Sequence, residues 1–331
     1  MRRDYCFKKL ILESQVIYRL SFKVSVDRCT RRRGAKIRHG NWTVKSTQQW
    51  AKGILLQNGL QEAALESEIL IRSIADIDRV TFYAKPEHPI TQTQCRILDE
   101  MLERRIAKEP LPYILGQREF FGLPFKITPD VLIPRPETEI LVEEALSWIN
   151  SHRTNEKRMV IADIGTGSGC IAVSLATQLG IDRFFATDIS REALQIAKSN
   201  AVFHGVGEKI EFLHGDLLDP VPNLINLLIG NLPYITDEEF ARLPTEIQSY
   251  EPSQALRGGA DGTKLIKQLL EQAPNYLTDP GAIILEISPQ QLNSITTSSQ
   301  KFFPASQARV VKDLAGLDRV FIVDHFPERI A

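Results

Sequence analysis

The chain has 331 residues, 43% of them apolar, with 40 basic against 41 acidic side chains and a net charge of -1, so two domains with cores of their own are the natural expectation. No run approaches the roughly 20 apolar residues of a membrane span, and no short apolar stretch carries a small-residue cleavage signature, which predicts a soluble body. Cys6, Cys29, Cys95 and Cys170 form no CxxC pair and the six histidines lack ligand spacing; this argues against a zinc site or disulfide framework, predicts no metal, and favours a reducing, cytoplasmic compartment.

The near-neutral total conceals an asymmetry. Residues 1–45 hold 13 Lys/Arg against 3 Asp/Glu, a charge of +10, and the rest of the chain carries -11. An acidic body works against non-specific grip on nucleic acid, which depends on neutralising phosphates with Lys and Arg. The basic head, with Arg31-Arg32-Arg33, reads as a largely disordered arm. It is a targeting peptide, an RNA- or ribosome-contacting arm, or sequence upstream of the true start. The last is favoured, because no later element needs the segment and its serines are sparse for organellar targeting.

From Ser46 to about Pro110 the pattern is helical. Leu70, Ile74 and Ile77 repeat at i, i+4, i+7, and Leu98, Met101, Leu102 and Ile106 line a second face after a Thr91 cap. Pro110 and Pro112 are expected to stop that helix, and Glu119 to Phe125 to form a short hairpin. The chain divides accordingly into a small helical domain (46–115), a connecting hairpin (116–130) and a larger domain (131–331).

In the larger domain a helix through Leu141 and Ala145 precedes apolar strands near Met159–Ile164, Phe184–Asp188, Ile210–Leu213, Leu227–Asn231 and Ala282–Ile287, separated by helices. This predicts a doubly wound, Rossmann-like α/β domain. The last two strands, Arg309–Lys312 and Arg319–Val323, follow one another without a helix-length insert. They predict an antiparallel pair at one edge of a mixed seven-stranded sheet, as in class I methyltransferases.

Asp163-Ile164-Gly165-Thr166-Gly167-Ser168-Gly169 lies where the first of these strands turns into a helix, and its glycines allow tight turning and close approach to a ligand. The spacing is G-x-G-x-G rather than the G-x-G-x-x-G of dinucleotide sites. An acidic residue ahead of the turn suits a zwitterionic methionine tail better than a pyrophosphate. One unit later, Asp188 ends a strand where its carboxylate can accept from two ribose hydroxyls, or can serve only as a cap in competition with Ser190. Asp216 could reach an adenine amino group, with Leu217 covering the ring.

The sharpest signal is Asn231-Leu232-Pro233-Tyr234 after the strand Leu227 to Gly230, a [ND]-x-P-[YF] signature for methylation of planar nitrogen. An amide nitrogen is a poor nucleophile because its lone pair is delocalised, which also produces the rotation barrier of about 18–20 kcal/mol. The Asn231 side-chain oxygen and the Leu232 carbonyl can accept its two hydrogens. Pro233 biases Leu232 toward an extended conformation, and Tyr234 can pack on the planar group near a positively charged sulfonium. A strand-ending turn is the plain alternative.

Together these motifs resemble the HemK/PrmC-type protein-(glutamine-N5) methyltransferases from about residue 50 to the end. The resemblance is carried by Glu109 to Gly116, Leu132 to Glu139 with its Pro134-Arg135-Pro136-Glu137-Thr138-Glu139 block, the glycine turn, Asn231 to Tyr234, Glu251-Pro252 through Gly258 to Gly262, and Asp313 to Val320. It implies transfer of a methyl group from S-adenosyl-L-methionine to the glutamine of a Gly-Gly-Gln loop in class 1 peptide chain release factors. The helical domain would hold that protein substrate, no stable nucleic-acid or membrane partner is implied, and a monomer is expected.

By position, Asp163, Gly165 to Gly169, Asp188, Asp216, Leu217 and Asn231 should contact cofactor, and Asn231, Leu232, Pro233 and Tyr234 the glutamine. The Arg135–Glu139 block reads as a wall of the same pocket or as a loop capping the helix that starts near Thr138. Leu232 stands where many members carry a second proline, and Leu217 where some carry tryptophan. The rivals are a nucleic-acid amino-group (adenine N6 or guanine N2) methyltransferase, a silent release-factor scaffold and a nicotinamide dehydrogenase.

Overall fold

A computed structural model describes residues 40–153, 159–180, 183–222 and 224–325. The disorder expected of the basic arm falls, as far as residue 39, outside them. The described residues begin inside the segment read as that arm: Trp42–Thr43 pairs antiparallel with Pro89–Ile90, and helix α1 (Val44–Gln57) follows at once. The start is local. Thr43 accepts from the Ser46 amide while the Ser46 hydroxyl accepts from the Thr43 amide at 2.9 Å, a reciprocal cap that satisfies two free donors. The Trp42 ring meets Trp50 edge-on at 6.0 Å.

Helix α2 (Ala63–Ala75) stops short of the expected repeat. Asp76 takes a left-handed conformation (φ 54°), so Ile77 lies beyond the helix, and the buried face is Ala63, Glu66, Ser67, Leu70 and Ile71. Helix α3 (Gln92–Ile106) starts at the expected Thr91 cap and buries Leu98 and Leu102. It ends at Ile106, before either proline. Pro112 sits in the first turn of a short helix, Leu111–Leu115, where a missing amide hydrogen costs nothing. Gln117–Phe120 and Leu123–Lys126 then form the hairpin.

The sheet contains β1 (Val160–Ile164), β2 (Arg183–Asp188), β3 (Ile210–His214), β4 (Ile225–Gly230), β5 (Leu277–Glu286), β6 (Gln307–Lys312) and β7 (Asp318–His325). Their order across it is β6-β7-β5-β4-β1-β2-β3. β1 to β5 run parallel, whereas β7 lies antiparallel between β5 and β6, giving the expected mixed sheet with its antiparallel edge. Alternation along the strands feeds two cores. Leu227, Ile229, Ala282, Ile284 and Ile322 join α4 (Glu139–His152), α5 (Cys170–Gln178) and α6 (Arg191–Phe203) on one face. Leu228, Ile283, Leu285, Phe321 and Val323 join α8 (Lys264–Gln272) and α9 (Leu292–Phe302) on the other, with α7 (Thr245–Tyr250) preceding them in the chain. No helix among the described residues is long and apolar enough to cross a membrane.

A buried ion pair ties the helical segment to the α/β part. Arg105 of α3 forks onto Glu66 of α2 at 2.8 and 2.9 Å and reaches Glu246 of α7 at 3.0 Å, while Tyr250 of α7 donates to the Ala107 carbonyl. The Arg105 and Glu66 side chains are only 7% and 9% exposed, so each depends on the other to offset lost hydration. Arg105→Met strands the Glu66 charge and should lower the unfolding free energy by about 3–5 kcal/mol, with Glu66→Met added in the same chain recovering most of it. Urea unfolding of the two variants measures both effects.

Candidate active site

The site forms at the carboxyl ends of β1, β2, β4 and β5, where open α/β sheets bind ligands. After β1 the chain makes a tight turn in which Gly165, Gly167 and Gly169 all have positive φ. The turn is hung on β2: the Gly165 and Thr166 amides donate to the Thr187 carbonyl, and the Gly167 amide to Asp188 Oδ2 at 2.8 Å. At Gly169 a side chain is excluded as well as strained, because a Cβ there would sit 3.0 Å from the Ala197 Cβ, where α5 and α6 approach. The crest is open, since a Cβ at Gly167 would meet nothing within 4 Å.

Asp163 lies wholly buried beneath this turn rather than at its mouth. Its Oδ2 accepts from the Thr166 hydroxyl at 2.6 Å and the Ala172 amide at 3.2 Å, while Oδ1 has no hydrogen-bond partner among the described residues. Burial pushes its pKa up to about 7 despite those two bonds. Thr166 and Ser168 are buried as well, leaving backbone rather than hydroxyls to meet a ligand. Asn200 of α6 braces the turn by donating to the Ser168 carbonyl at 2.8 Å.

Asp188 is not the cap of α6; it sits between that cap and the glycine turn. Ser190 is the N-cap of α6, and Asp188 Oδ1 accepts from the Ser190 amide at 2.9 Å while Oδ2 holds Gly167. Burial raises its pKa against those hydrogen bonds. Each oxygen retains a lone pair for a further donor. Asp216 is exposed beyond β3; Leu217 (φ 45°) is buried in the second core with its carbonyl held by the Thr187 hydroxyl, so little of its side chain remains to cover a ring.

Asn231 to Tyr234 follow β4 directly. A Cβ at Gly230 would stand 2.9 Å from the Ile164 carbonyl, so glycine there lets the two strand ends converge. Leu232 packs its side chain against the glycine turn, with Cδ2 3.2 Å from where a Gly165 Cβ would be. Asn231 Nδ2 donates to the Thr138 hydroxyl at 3.1 Å, and no donor among the described residues reaches Asn231 Oδ1. Thr138 donates to Glu286 Oε2 at 2.6 Å, and the Tyr234 hydroxyl donates to Glu286 Oε1 at 3.0 Å. Burial raises the Glu286 pKa, opposed by those two hydrogen bonds and by the Arg319 charge; burial, and then the charge of Glu286, raise that of Tyr234.

Of the Arg135–Glu139 block, Thr138 contacts Asn231, while Glu139 turns to the hairpin and accepts from the Phe121 amide at 2.9 Å. Thr138 precedes α4 but makes no capping bond, because its hydroxyl is engaged by Glu286. Arg135 pairs with buried Glu251 at 2.5 Å. Behind the tetrapeptide, the Gly258 to Gly262 loop and Gln291 form a clamp: Gln291 donates to the Tyr234 carbonyl at 2.7 Å, and a Cβ at Gly262 would fall 2.2 Å from that same oxygen. A cavity of about 150 Å³ opens between Leu132, Arg135, Asn231, Tyr234, Ile247 and Leu256. It is smaller than the roughly 300–1,000 Å³ of ordinary small-molecule pockets and suits a single side chain.

The model of the PrmC N-terminal domain matches residues 46–116, and that of ribosomal protein L11 methyltransferase (PrmA) matches residues 142–237. The release factor glutamine methyltransferase of Geobacter sulfurreducens is 36% identical over 255 residues, 77% of this chain and 87% of that protein. Its counterpart in Coxiella burnetii is 37% identical over 262 residues, 78% and 90% of the two chains. This chain belongs to the release factor glutamine methyltransferase family. The solved hMettl16 catalytic domain, in complex with the MAT2A 3'UTR hairpin 6, covers 72% of this chain and 84% of its own at a TM-score of 0.50 and 15% identity, a likeness of fold alone.

Glu286 and Asn200 escaped the sequence reading of this family member. The only local signal for Glu286 is an acidic residue closing an apolar strand, and Asn200 looks like any polar helix residue. Asp163 generates a pH prediction. Its folded pKa of about 7 lies above the ordinary 3.8, so the folded state holds the proton more tightly and this residue's contribution to stability falls as pH rises from about 4 to about 7. Asp163→Asn keeps an acceptor for Thr166 and Ala172 but never ionises. Relative to the parent it should gain up to about 4 kcal/mol between pH 4 and pH 7.5, measured by urea unfolding across that range; parallel profiles would show that Asp163 ionises without cost.

Proposed function

We propose that this chain methylates the side-chain amide nitrogen (N5) of the glutamine in the Gly-Gly-Gln loop of class 1 peptide chain release factors, using S-adenosyl-L-methionine. Family membership supports the reaction, and one observation supports assigning it to these residues: Leu232 packs against Gly165, so the tetrapeptide adjoins the glycine turn. The residues present fit the cofactor. The unpartnered Asp163 oxygen lies under an open turn, and each Asp188 oxygen keeps a lone pair for a ribose hydroxyl. Gly165, Gly167, Gly169 and Asp188 would hold it, with Asp163 bracing the turn from beneath, Thr166 and Ser168 shaping it, Asp216 at the exposed rim and Asn231 at the junction with substrate. When bound, it supplies a methyl group on a positively charged sulfur.

The chain's own contribution is orientation. Asn231 Oδ1 and the Leu232 carbonyl accept the two hydrogens of the glutamine amide, drawing its nitrogen out of conjugation and freeing the lone pair. Pro233 holds Leu232 extended, and the Tyr234 ring, fixed by Glu286, covers the flat group. No strong base is required, because an amide nitrogen that has gained a methyl while keeping both hydrogens is acidic enough to lose one to solvent. Positioning of this kind supplies up to roughly 7–11 kcal/mol in well-oriented systems. Residues 46–115 take the role of holding the protein substrate.

Mass spectrometry of a release factor incubated with the protein and S-adenosyl-L-methionine should find one added methyl group, located on the loop glutamine. Asn231→Ala should slow its appearance at least about 100-fold, the scale of removing one preorganised polar contact from a reacting centre. Methyl label in added RNA or DNA with an unmodified factor would overturn the proposal.

A further inference from the structure

An asparagine side chain presents an oxygen and an NH₂ group of nearly equal size, and a half-turn about its last bond exchanges them. The proposed function, on which this inference rests, tolerates only one of the two orientations. With the oxygen forward, Asn231 accepts from the substrate amide; with the NH₂ forward, two donors face each other. Nothing in the Asn231-Leu232-Pro233-Tyr234 backbone makes that choice.

We propose that Glu286 and Thr138 are positioning residues that fix the orientation of the Asn231 amide, so that its oxygen faces the glutamine. The direction of the hydrogen bonds forces the choice. The Thr138 hydroxyl donates to Glu286 Oε2 at 2.6 Å, and this bond, the one from Tyr234 and the Arg319 charge all favour the ionised carboxylate against the burial that raises its pKa. The single hydrogen of the Thr138 hydroxyl is then committed, and only lone pairs remain on the side facing Asn231. The Asn231 atom 3.1 Å away must be a donor, which is Nδ2, and Oδ1 is left pointing away from Thr138.

The other oxygen of the same carboxylate accepts from the Tyr234 hydroxyl at 3.0 Å, so one buried group orients both ends of the tetrapeptide. Three segments distant in sequence meet here: the loop before α4, the end of β4 and the last residue of β5. The Glu286 residue is 1% exposed, and no water competes for its oxygens as freely as at a surface. Arg319, itself paired with Asp313 at 3.1 Å, adds a positive charge that favours the ionised form of Glu286.

Thr138→Val removes the hydroxyl at constant shape. Glu286→Gln supplies an NH₂ group that can donate to Thr138 and reverse the whole chain of hydrogen bonds, whereas Thr138→Ser preserves it. In the full-length protein with a release factor as substrate, Thr138→Val and Glu286→Gln should each lower kcat roughly 10- to 100-fold, the scale of one withdrawn hydrogen bond. KM for the release factor, the Kd for S-adenosyl-L-methionine and the thermal midpoint should change little, and Thr138→Ser should stay within about threefold of the parent.

Full kcat in Thr138→Val, a Ser variant as impaired as the Val variant, or losses confined to KM or to folding would each overturn the relay. A second readout needs no substrate. In protein labelled with ¹⁵N at asparagine, the Asn231 side-chain NH₂ should exchange slowly with solvent, and quickly in Thr138→Val; equal exchange in both would also overturn the relay. A parent protein that transfers no methyl to a release factor would count against the proposed function, while the exchange measurement would still decide the relay.

Discussion

The parallel pairing of β1 with β4 is the constraint from which the site follows. Ile161, Ala162 and Asp163 lie opposite Leu227, Leu228 and Ile229, so the two strands end level with one another. Gly230 allows the Ile164 carbonyl to approach where any side chain would block it. The glycine turn leaves one strand and Asn231 the other at the same height, and Leu232 fills the angle between them. Without that register, the tetrapeptide and the glycine turn would be two unrelated loops.

Around that junction the fold concentrates buried acidic groups. Asp163, Asp188 and Glu286 stand at the carboxyl ends of three different strands, and burial raises the pKa of each. A fold does not gather such groups for stability, because every ionised carboxylate taken from water costs free energy that its hydrogen bonds offset only in part. The cost is intelligible as preparation. Asp163 and Asp188 brace the turn, and Glu286 braces the tetrapeptide through Thr138 and Tyr234. The glycine-rich Gly258 to Gly262 loop and the Arg135–Glu251 pair complete the shell, which explains in physical terms why motifs so far apart in the chain accompany the tetrapeptide.

The sheet was legible because a parallel strand buried on both faces is a short apolar run bounded by turn residues, and each run appears as such in the sequence. Helix ends were less so. Asp76 in the left-handed region ends α2 before Ile77, and α3 ends at Ile106 although no proline has yet been reached; both depend on backbone conformations that composition does not announce. The start of α1 at Val44 was hidden by the basic charge of the flanking segment, though the Thr43 and Ser46 cap is a local signal. At the site, Asn231 and Asp188 were legible because one follows an apolar strand directly and the other closes one. Asp163 was legible as present but not as buried: its exposure is set by α5 folding over it.

By itself, then, the amino-acid sequence determined the alternation of strands and helices, the antiparallel edge, the glycine turn and the planar-nitrogen tetrapeptide, since each is written in neighbouring residues whose periodicity and backbone preferences act over a few positions. Tertiary structure alone decided that Thr138 gives its hydroxyl to Glu286 instead of capping α4, that Leu217 belongs to the core, and that Arg105 couples the helical segment to α7. Those outcomes are contacts between residues tens to more than a hundred positions apart, and a hydrogen bond or ion pair of that span exists only after the sheet has brought its two ends together.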